Sequence, residues 1–329
     1  MKIHPAPLAL LAGLMLALSM PPALADPAQE TGQKAVLVTG ASSGIGLRIT
    51  EHLSAQGHFV YAGARKDADI ERLNAMKNVQ AVRLDVNDPG QIAAAVETIG
   101  EAGRGLHGLV NNAGVAVVWP LIEIPESEFD FQMQVNLYGP YRVTRAFAPL
   151  IIENKGRITT IGSISGILSR TLFGPYSMSK HAMEAFADSL AEEMRKFEVE
   201  VSIVEPGNFQ SEIGQNLVRR LQRVDANLEQ SRYRDEMQQF MESFQNAELS
   251  GQRADPIVVA QAVEHALFAE RPKRRYLVTP NEREAEITLR KAIEEMVQLN
   301  HDQAYSYDRA RLVEMLDEAL AKLTPAKAE

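Results

Sequence analysis

The stretch KAVLVTGASSGIG, Lys34 to Gly46, decides how the rest of the chain is read. Ala35 to Thr39 is a short apolar run that predicts a buried strand, and Gly40, Gly44 and Gly46 follow it at the opening of a helical pattern. Glycines there allow a tight turn and let backbone N–H groups approach an anion, which the positive end of the helix then favours. The spacing is T-G-x-x-x-G-x-G rather than G-x-G-x-x-G, but the device is the same. Gly40, Ser42, Ser43, Gly44, Ile45 and Gly46 would cradle the pyrophosphate of a dinucleotide.

Six further strands are predicted at Phe59–Gly63, Val79–Leu84, Leu106–Asn111, Gly156–Ile161, Val199–Val204 and Tyr276–Val278, with helical patterns between them. This alternation predicts an α/β chain with a doubly wound, seven-stranded parallel sheet of Rossmann type, filling residues 33–280. The ligand crevice belongs at the carboxyl ends of the strands. A helical insertion at about 209–250 interrupts the rhythm. Phe209, Ile213, Leu217, Leu221, Val224 and Leu228, then Tyr233, Met237, Phe240, Met241 and Phe244, recur at amphipathic spacing. Its polar face mixes Arg219, Arg220 and Arg223 with Asp225, Glu229, Asp235 and Glu236, which favours a substrate lid over a basic membrane-binding face. Residues 281–329 read as a helical extension packed on the domain or on a partner subunit, with Glu286 and Arg290 four apart and Leu312, Met315, Leu316, Ala319, Leu320 and Leu323 on a second helix.

A net charge of −9 argues against a nucleic-acid surface, and the absence of cysteine excludes disulfides and thiolate chemistry. The seven histidines are scattered without an H-E-x-x-H pair, so no metal site is expected. Upstream of the cradle, Lys2, the apolar run Leu8–Met20 and Ala23-Leu24-Ala25 form the three parts of an export signal. Residues 1–25 are therefore predicted to be a signal peptide cleaved before Asp26, giving an exported, periplasmic protein. A start near Met20 would instead leave it cytoplasmic. The run is shorter than the ~20 residues needed to span hydrocarbon, and Pro21-Pro22 ends it, so no stable membrane span is expected.

The end of the second strand should read the ribose 2′ position, where an acid would hold a hydroxyl and an arginine a phosphate. Ala64 stands where the acid is expected and Arg65 follows, which favours NADP(H); the alternative is NAD(H), with Asp67 taking the ribose. Farther along, Tyr176 and Lys180 lie four apart on one helix face. A cation near a phenol of pKa ~10 favours the phenolate, so Lys180 is expected to lower Tyr176 into a usable range. Ser163, at the end of the fifth strand, offers a hydroxyl to a carbonyl or carbinol oxygen. His181 reads as a helix-face residue.

With these residues the chain resembles the short-chain dehydrogenase/reductase family. The match runs from about residue 33 to 280 through Thr39-Gly40 to Gly46, Asp85-Val86, Asn111-Asn112-Ala113-Gly114, Asn136, Ser163, Tyr176 with Lys180, and Pro206-Gly207. The resemblance implies that Asp85 and Val86 contact the adenine and that Asn112, Ala113 and Gly114 border the cofactor. It implies that Asn136 holds a water relaying protons to Lys180, and that Ser211 stands where the family commonly has threonine near the nicotinamide. It further implies a homodimer or homotetramer built through the helices preceding and containing Tyr176. The expected activity is hydride transfer between nicotinamide and a substrate carbon, with Ser163 holding the oxygen, Tyr176 moving its proton and Lys180 also binding the ribose. The alternative is a catalytically silent sensor or scaffold that keeps the cofactor fold. Val117, Val118, Trp119, Ile167, Leu168, Leu172, Phe173 and Phe209 predict a hydrophobic ketone or secondary alcohol as substrate, and VEPGNF at 204–209 is similar to the hydroxysteroid, retinol and hydroxybutyrate branches.

Overall fold

The computed structural model describes residues 32–221, 230–249 and 253–323. The expected signal peptide at 1–25, the alternative start at Met20, and Arg223, Val224, Asp225, Leu228 and Glu229 of the insertion lie outside the described residues.

Strands β1 (Ala35–Val38), β2 (Phe59–Ala64), β3 (Val79–Arg83), β4 (Gly108–Asn111), β5 (Arg157–Ile161), β6 (Glu200–Pro206) and β7 (Arg275–Val278) form one sheet, parallel throughout, in the order β3-β2-β1-β4-β5-β6-β7. The order reverses between β1 and β4, which opens a crevice at their carboxyl ends. Leu106 and Val199, expected in strands, are buried lead-ins just outside the ladder. β6 runs on to Pro206, whose missing N–H is tolerated at a strand end; Gly207 N–H then bonds Val278 O at 2.8 Å.

Helices α1 (Gly44–Ala55), α2 (Asp67–Asn74), α3 (Pro89–Glu101), α4 (Glu126–Met133), α5 (Gly139–Glu153), α6 (Gly174–Met194) and α9 (Ile257–Phe268) cover both faces. Alternation along the strands feeds two cores. Ala35 and Leu37 of β1 join Leu109, Phe147 and Ile151, while Val36 and Val38 join Val110, Ile49, Val263 and Leu267. A π-helical turn, Gln134–Tyr138, joins α4 to α5 and carries Asn136.

The insertion supplies α7 (Ile213–Leu221) and α8 (Arg234–Leu249). Leu217, Leu221 and Met237 are buried with Trp119, Val118 and Leu172 in a separate apolar cluster. The extension forms α10 (Glu282–Asn300) and α11 (Arg309–Leu323). Only its start packs as anticipated. The Glu284 carboxylate accepts from Asn208 N–H at 2.8 Å and Thr288 is fully buried, but α11 buries no residue and Leu289, Ile293, Leu316 and Leu320 are exposed. Its apolar stripe therefore does not rest on this domain.

Candidate active site

The cradle is held from behind by Thr39 and Asn112. Thr39 Oγ1 accepts from the N–H groups of Asn112 (2.9 Å) and Ala113 (3.0 Å), and Asn112 Nδ2 donates to the carbonyls of Thr39 (2.8 Å) and Gly40 (3.1 Å). These bonds pin the β1 turn to the end of β4, so the backbone N–H groups opening α1 face the crevice. Two glycines are obligatory here. Gly40 has φ +64° and a Cβ there would lie 2.9 Å from Ala113 Cα; at Gly46 it would lie 2.3 Å from both Asn112 Nδ2 and Gly40 O. Ser211 sits across from Gly44, with its Cβ 3.3 Å from where a Cβ at 44 would be.

A cleft of about 1430 Å³ runs along the strand ends, room for a dinucleotide and a second ligand. Gly40, Ser42, Ser43, Gly44, Ile45, Gly46, Arg65, Asp85, Val86, Asn112, Ala113, Gly114, Ser163, Tyr176, Lys180, Pro206, Gly207 and Ser211 all line it. The Arg65 guanidinium reaches Asp85 at 3.4 Å and is largely exposed to the cleft, whereas Asp67 is paired with Arg83 and does not line it.

Of the catalytic and cofactor-binding residues expected from sequence, Asn136 alone does not line the cleft. Its side chain is committed to the chain that follows β4: Oδ1 accepts from Val115 N–H at 2.8 Å, and Nδ2 donates to Val115 O at 2.9 Å and Ser179 Oγ at 3.1 Å. Both amide hydrogens are thereby used, while Oδ1 keeps a second lone pair. Gln132, missed in the sequence, works alongside: fully buried, it accepts from Val117 N–H at 2.6 Å and donates to Val115 O and Ser179 Oγ. Only burial reveals it, since a glutamine on a helix carries no sequence signal.

At the far end of the cleft Ser163 and Tyr176 both face the lining, and Ser163 Oγ accepts from Ser165 N–H at 3.1 Å. Lys180 Nζ donates to Ile161 O at 2.9 Å and lies 5.7 Å from the Tyr176 ring centroid. The expected lowering of Tyr176 by Lys180 is not what this geometry produces. Burial pushes the phenol above its usual value, and the neighbouring Ser163 hydroxyl opposes it. The ammonium is turned to the Ile161 carbonyl, and burial lowers Lys180 itself to about 8, against the pull of Glu184. His181 is exposed and its Nδ1 bonds Ser177 O at 2.9 Å within the helix.

Of the apolar residues chosen from sequence, Leu168, Phe173 and Phe209 line the cleft, joined by Ile213, Leu217 and Phe240 of the insertion. Val117, Val118, Trp119 and Leu172 do not; all four are buried, the last three in the cluster with Leu217, Leu221 and Met237, and Ile167 lies outside the lining. The insertion is tied down by charge as well. Arg220 binds Glu128 of α4 through two bonds and stacks 3.6 Å over the Phe131 ring, and Glu123 accepts from Ser231 Oγ (2.6 Å) and Arg232 N–H (3.1 Å). Among the described residues no group of three or more metal-ligating side chains occurs, and no helix is long and apolar enough to cross a membrane.

A parallel sheet with a glycine cradle and a serine, tyrosine and lysine at its far end defines a class, the nucleotide-dependent oxidoreductases of Rossmann fold. Residues 34–222 match the short chain dehydrogenase family, and the chain belongs to it. It is 34% identical over 253 residues to an uncharacterised oxidoreductase, YbbO, of Escherichia coli (strain K12), covering 75% of this chain and 86% of the relative. To the mitochondrial D-beta-hydroxybutyrate dehydrogenase of Mus musculus it is 33% identical over 273 residues, covering 77% and 78%. A short chain dehydrogenase/reductase from Burkholderia phymatum in complex with NAD superposes with a TM-score of 0.69 at 25% identity, covering 84% of this chain and 98% of the other. The protein is thus an oxidoreductase acting on an alcohol or ketone with a nicotinamide dinucleotide.

Proposed function

We propose that the protein transfers hydride between NADP(H) and a hydrophobic ketone or secondary alcohol, with Ser163, Tyr176 and Lys180 as its catalytic residues. The observation that carries this reading is the convergence of Ser163, Tyr176 and Lys180 on the cleft that the glycine turn opens. The nicotinamide ring, when bound, supplies or accepts the hydride. Ser163 Oγ holds the substrate oxygen, and Tyr176 gives that oxygen its proton or takes it. With its phenol raised by burial, Tyr176 rests protonated at neutral pH, which favours it as the acid of carbonyl reduction. Lys180 adds a positive charge beside both groups below about pH 8 and is placed to bind the ribose hydroxyls. Asn136 braces the segment after β4 against Ser179 and, as the resemblance implies, holds the water that relays protons to Lys180.

Tyr176→Phe tests the assignment in an assay of ketones and alcohols with NADPH and NADP+. Loss of turnover with cofactor affinity kept supports it. A variant as active as the parent returns the chain to the alternative of a silent sensor. Because Arg170 and Arg283 also line the cleft, the panel includes hydroxy and keto acids beside neutral compounds.

Preference for NADP(H) is supported by Arg65 exposed at the cleft, by Ala64 where an acid would stand, and by Asp67 being held by Arg83. Arg65→Ala should bring the dissociation constants for NADPH and NADH together; an unchanged ratio sinks the phosphate reading. The insertion is read as a lid, since α7 and α8 contribute apolar side chains to both the cleft and the cluster around Trp119. A homo-oligomer through α5 and α6 is supported by exposed Tyr141 and Met178 on those helices, and light scattering on the purified chain decides it. Export, read from residues 1–25, is tested by sequencing the amino terminus of the protein from its native host: Asp26 supports a periplasmic enzyme, and a terminus at Met1 or Met20 a cytoplasmic one.

A further inference from the structure

Beside the catalytic residues lies a cluster of charged groups that the proposed reaction does not use. Glu184 stands one helical turn beyond Lys180 on α6, and Glu205 stands on β6 just before Pro206-Gly207. Their side chains are only 14% and 3% exposed, both approach the same Arg275 nitrogen, and each keeps a buried Oε1 with no hydrogen-bond partner. Two carboxylates have no proton to donate, so these two buried oxygens can satisfy each other only while the pair holds one proton. Arg275 of β7 closes the cluster: its Nε lies 3.3 Å from Glu184 Oε2 and 3.5 Å from Glu205 Oε1, and its Nη2 donates to Asp188 Oδ2 at 2.7 Å.

The pair also touches the turn that carries Ser163. Gly162 and Gly166 bracket that turn and both face Glu184; a Cβ would lie 3.3 Å from Glu184 Oε1 at Gly162 and 2.7 Å from it at Gly166. Lys180 meanwhile bonds Ile161 O, the residue just before the bracket. The carboxyl of Glu184 thus underlies the serine turn from the same helix face that presents the lysine.

We propose that Glu184 and Glu205, sharing one proton beneath Arg275, are positioning residues that hold the Ser163 turn and Lys180 in register, and that loss of the shared proton loosens that hold. The inference rests on the proposed roles of Ser163 and Lys180. The charged groups facing the pair are Lys180 and Asp188 from α6 and Arg275 from β7, with Arg274 beyond at Asp188. With one proton in place, the pair and Asp188 carry two negative charges against the two positive charges of Lys180 and Arg275. Removing it places an extra anion in a nearly dry site, where like charges cannot stay in contact. One carboxylate must then turn toward Arg275 or water, and Glu184 leaves the space beneath Gly162 and Gly166. Burial and the neighbouring Glu184 raise Glu205 to about 8, so the release falls just above neutrality.

Glu205→Gln keeps the shape and a donor but has no proton to lose. The test measures amide hydrogen exchange of the segment 162–168 and the pH profiles of kcat and KM, on the full chain from pH 6 to pH 9. At pH 9, about one unit above the titration, roughly nine molecules in ten of the parent protein have lost the proton. The segment should then exchange several-fold faster in the parent than in the variant, and equally at pH 6. The alkaline fall in kcat should move upward in the variant with KM unchanged. Equal exchange in both proteins at pH 9 overturns the proposal, and so does an exchange difference with an unmoved kcat profile. If the parent turns over no carbonyl or alcohol, the proposed reaction fails, while exchange still decides whether the pair holds the turn. Should Glu205→Gln fold poorly, Glu184→Gln removes the same shared proton from the other side and is held to the same outcomes.

Discussion

Replacing Glu128 by glutamine should loosen the proposed lid without touching Ser163, Tyr176 or Lys180. Glu128 is 12% exposed at its side chain and binds Arg220 through two nitrogens, while Arg220 stacks on Phe131. A hydrogen bond to a charged group contributes roughly 1.5–3 kcal/mol, and one of the two bonds survives as a bond to a neutral amide. Arg220 is about one-third exposed, so water recovers part of what the freed guanidinium loses, and the lower figure applies. A loss of about 1.4 kcal/mol is a tenfold change in the ratio of closed to open lid. The other ties, through Glu123 and the Trp119 cluster, remain. KM should therefore rise by up to about tenfold while kcat stays within about twofold, because the lost interaction binds ground state and transition state alike. Trp119 is the single tryptophan of the chain and is buried against Leu217, Leu221 and Met237, so its fluorescence should shift to the red in the variant and return when substrate is added. A folded variant with parental KM and parental emission would refute the reasoning.

Three further outcomes follow from particular atoms. Alanine in place of a helical glycine ordinarily stabilises by about 1 kcal/mol, but at Gly46 the new Cβ meets Asn112 and Gly40 at 2.3 Å, so Gly46→Ala should lower the melting temperature and abolish cofactor binding in a titration. Truncation after Asp308 removes a helix that buries nothing, so stability in a denaturant melt should change by no more than about 0.5 kcal/mol. Lys180 is lowered from 10.5 to about 8, so between those values the unfolded chain holds more protons and the native state gains stability as pH rises; Lys180→Met should erase that gain in melts from pH 8 to 10.5. Cofactor affinity should fall earlier, as pH rises through about 8 and the native lysine loses its charge.

The sheet was legible because the strands are short runs rich in apolar and β-branched residues, unbroken in β1 (AVLV), and parallel strands buried on both faces leave that trace. The cleft side of the site was legible for another reason: glycines, Ser163, Tyr176 and Lys180 occupy positions that only backbone closeness or chemistry explains. What escaped was whatever depends on residues far apart in sequence sharing one buried polar space. Gln132 reaches Val115 and Ser179, Glu128 meets Arg220 across 92 residues, and Arg275 joins Glu184 to Glu205 across two strands and a helix. The same blindness explains the misjudged tyrosine. Four-residue spacing puts Lys180 on the face of Tyr176, but it cannot say that the ammonium will bond Ile161 O and be lowered by burial. Hence the spacing locates the reaction centre while the long-range carboxylates around it set its charge, and the pH behaviour of this enzyme should be controlled by residues that no local motif contains.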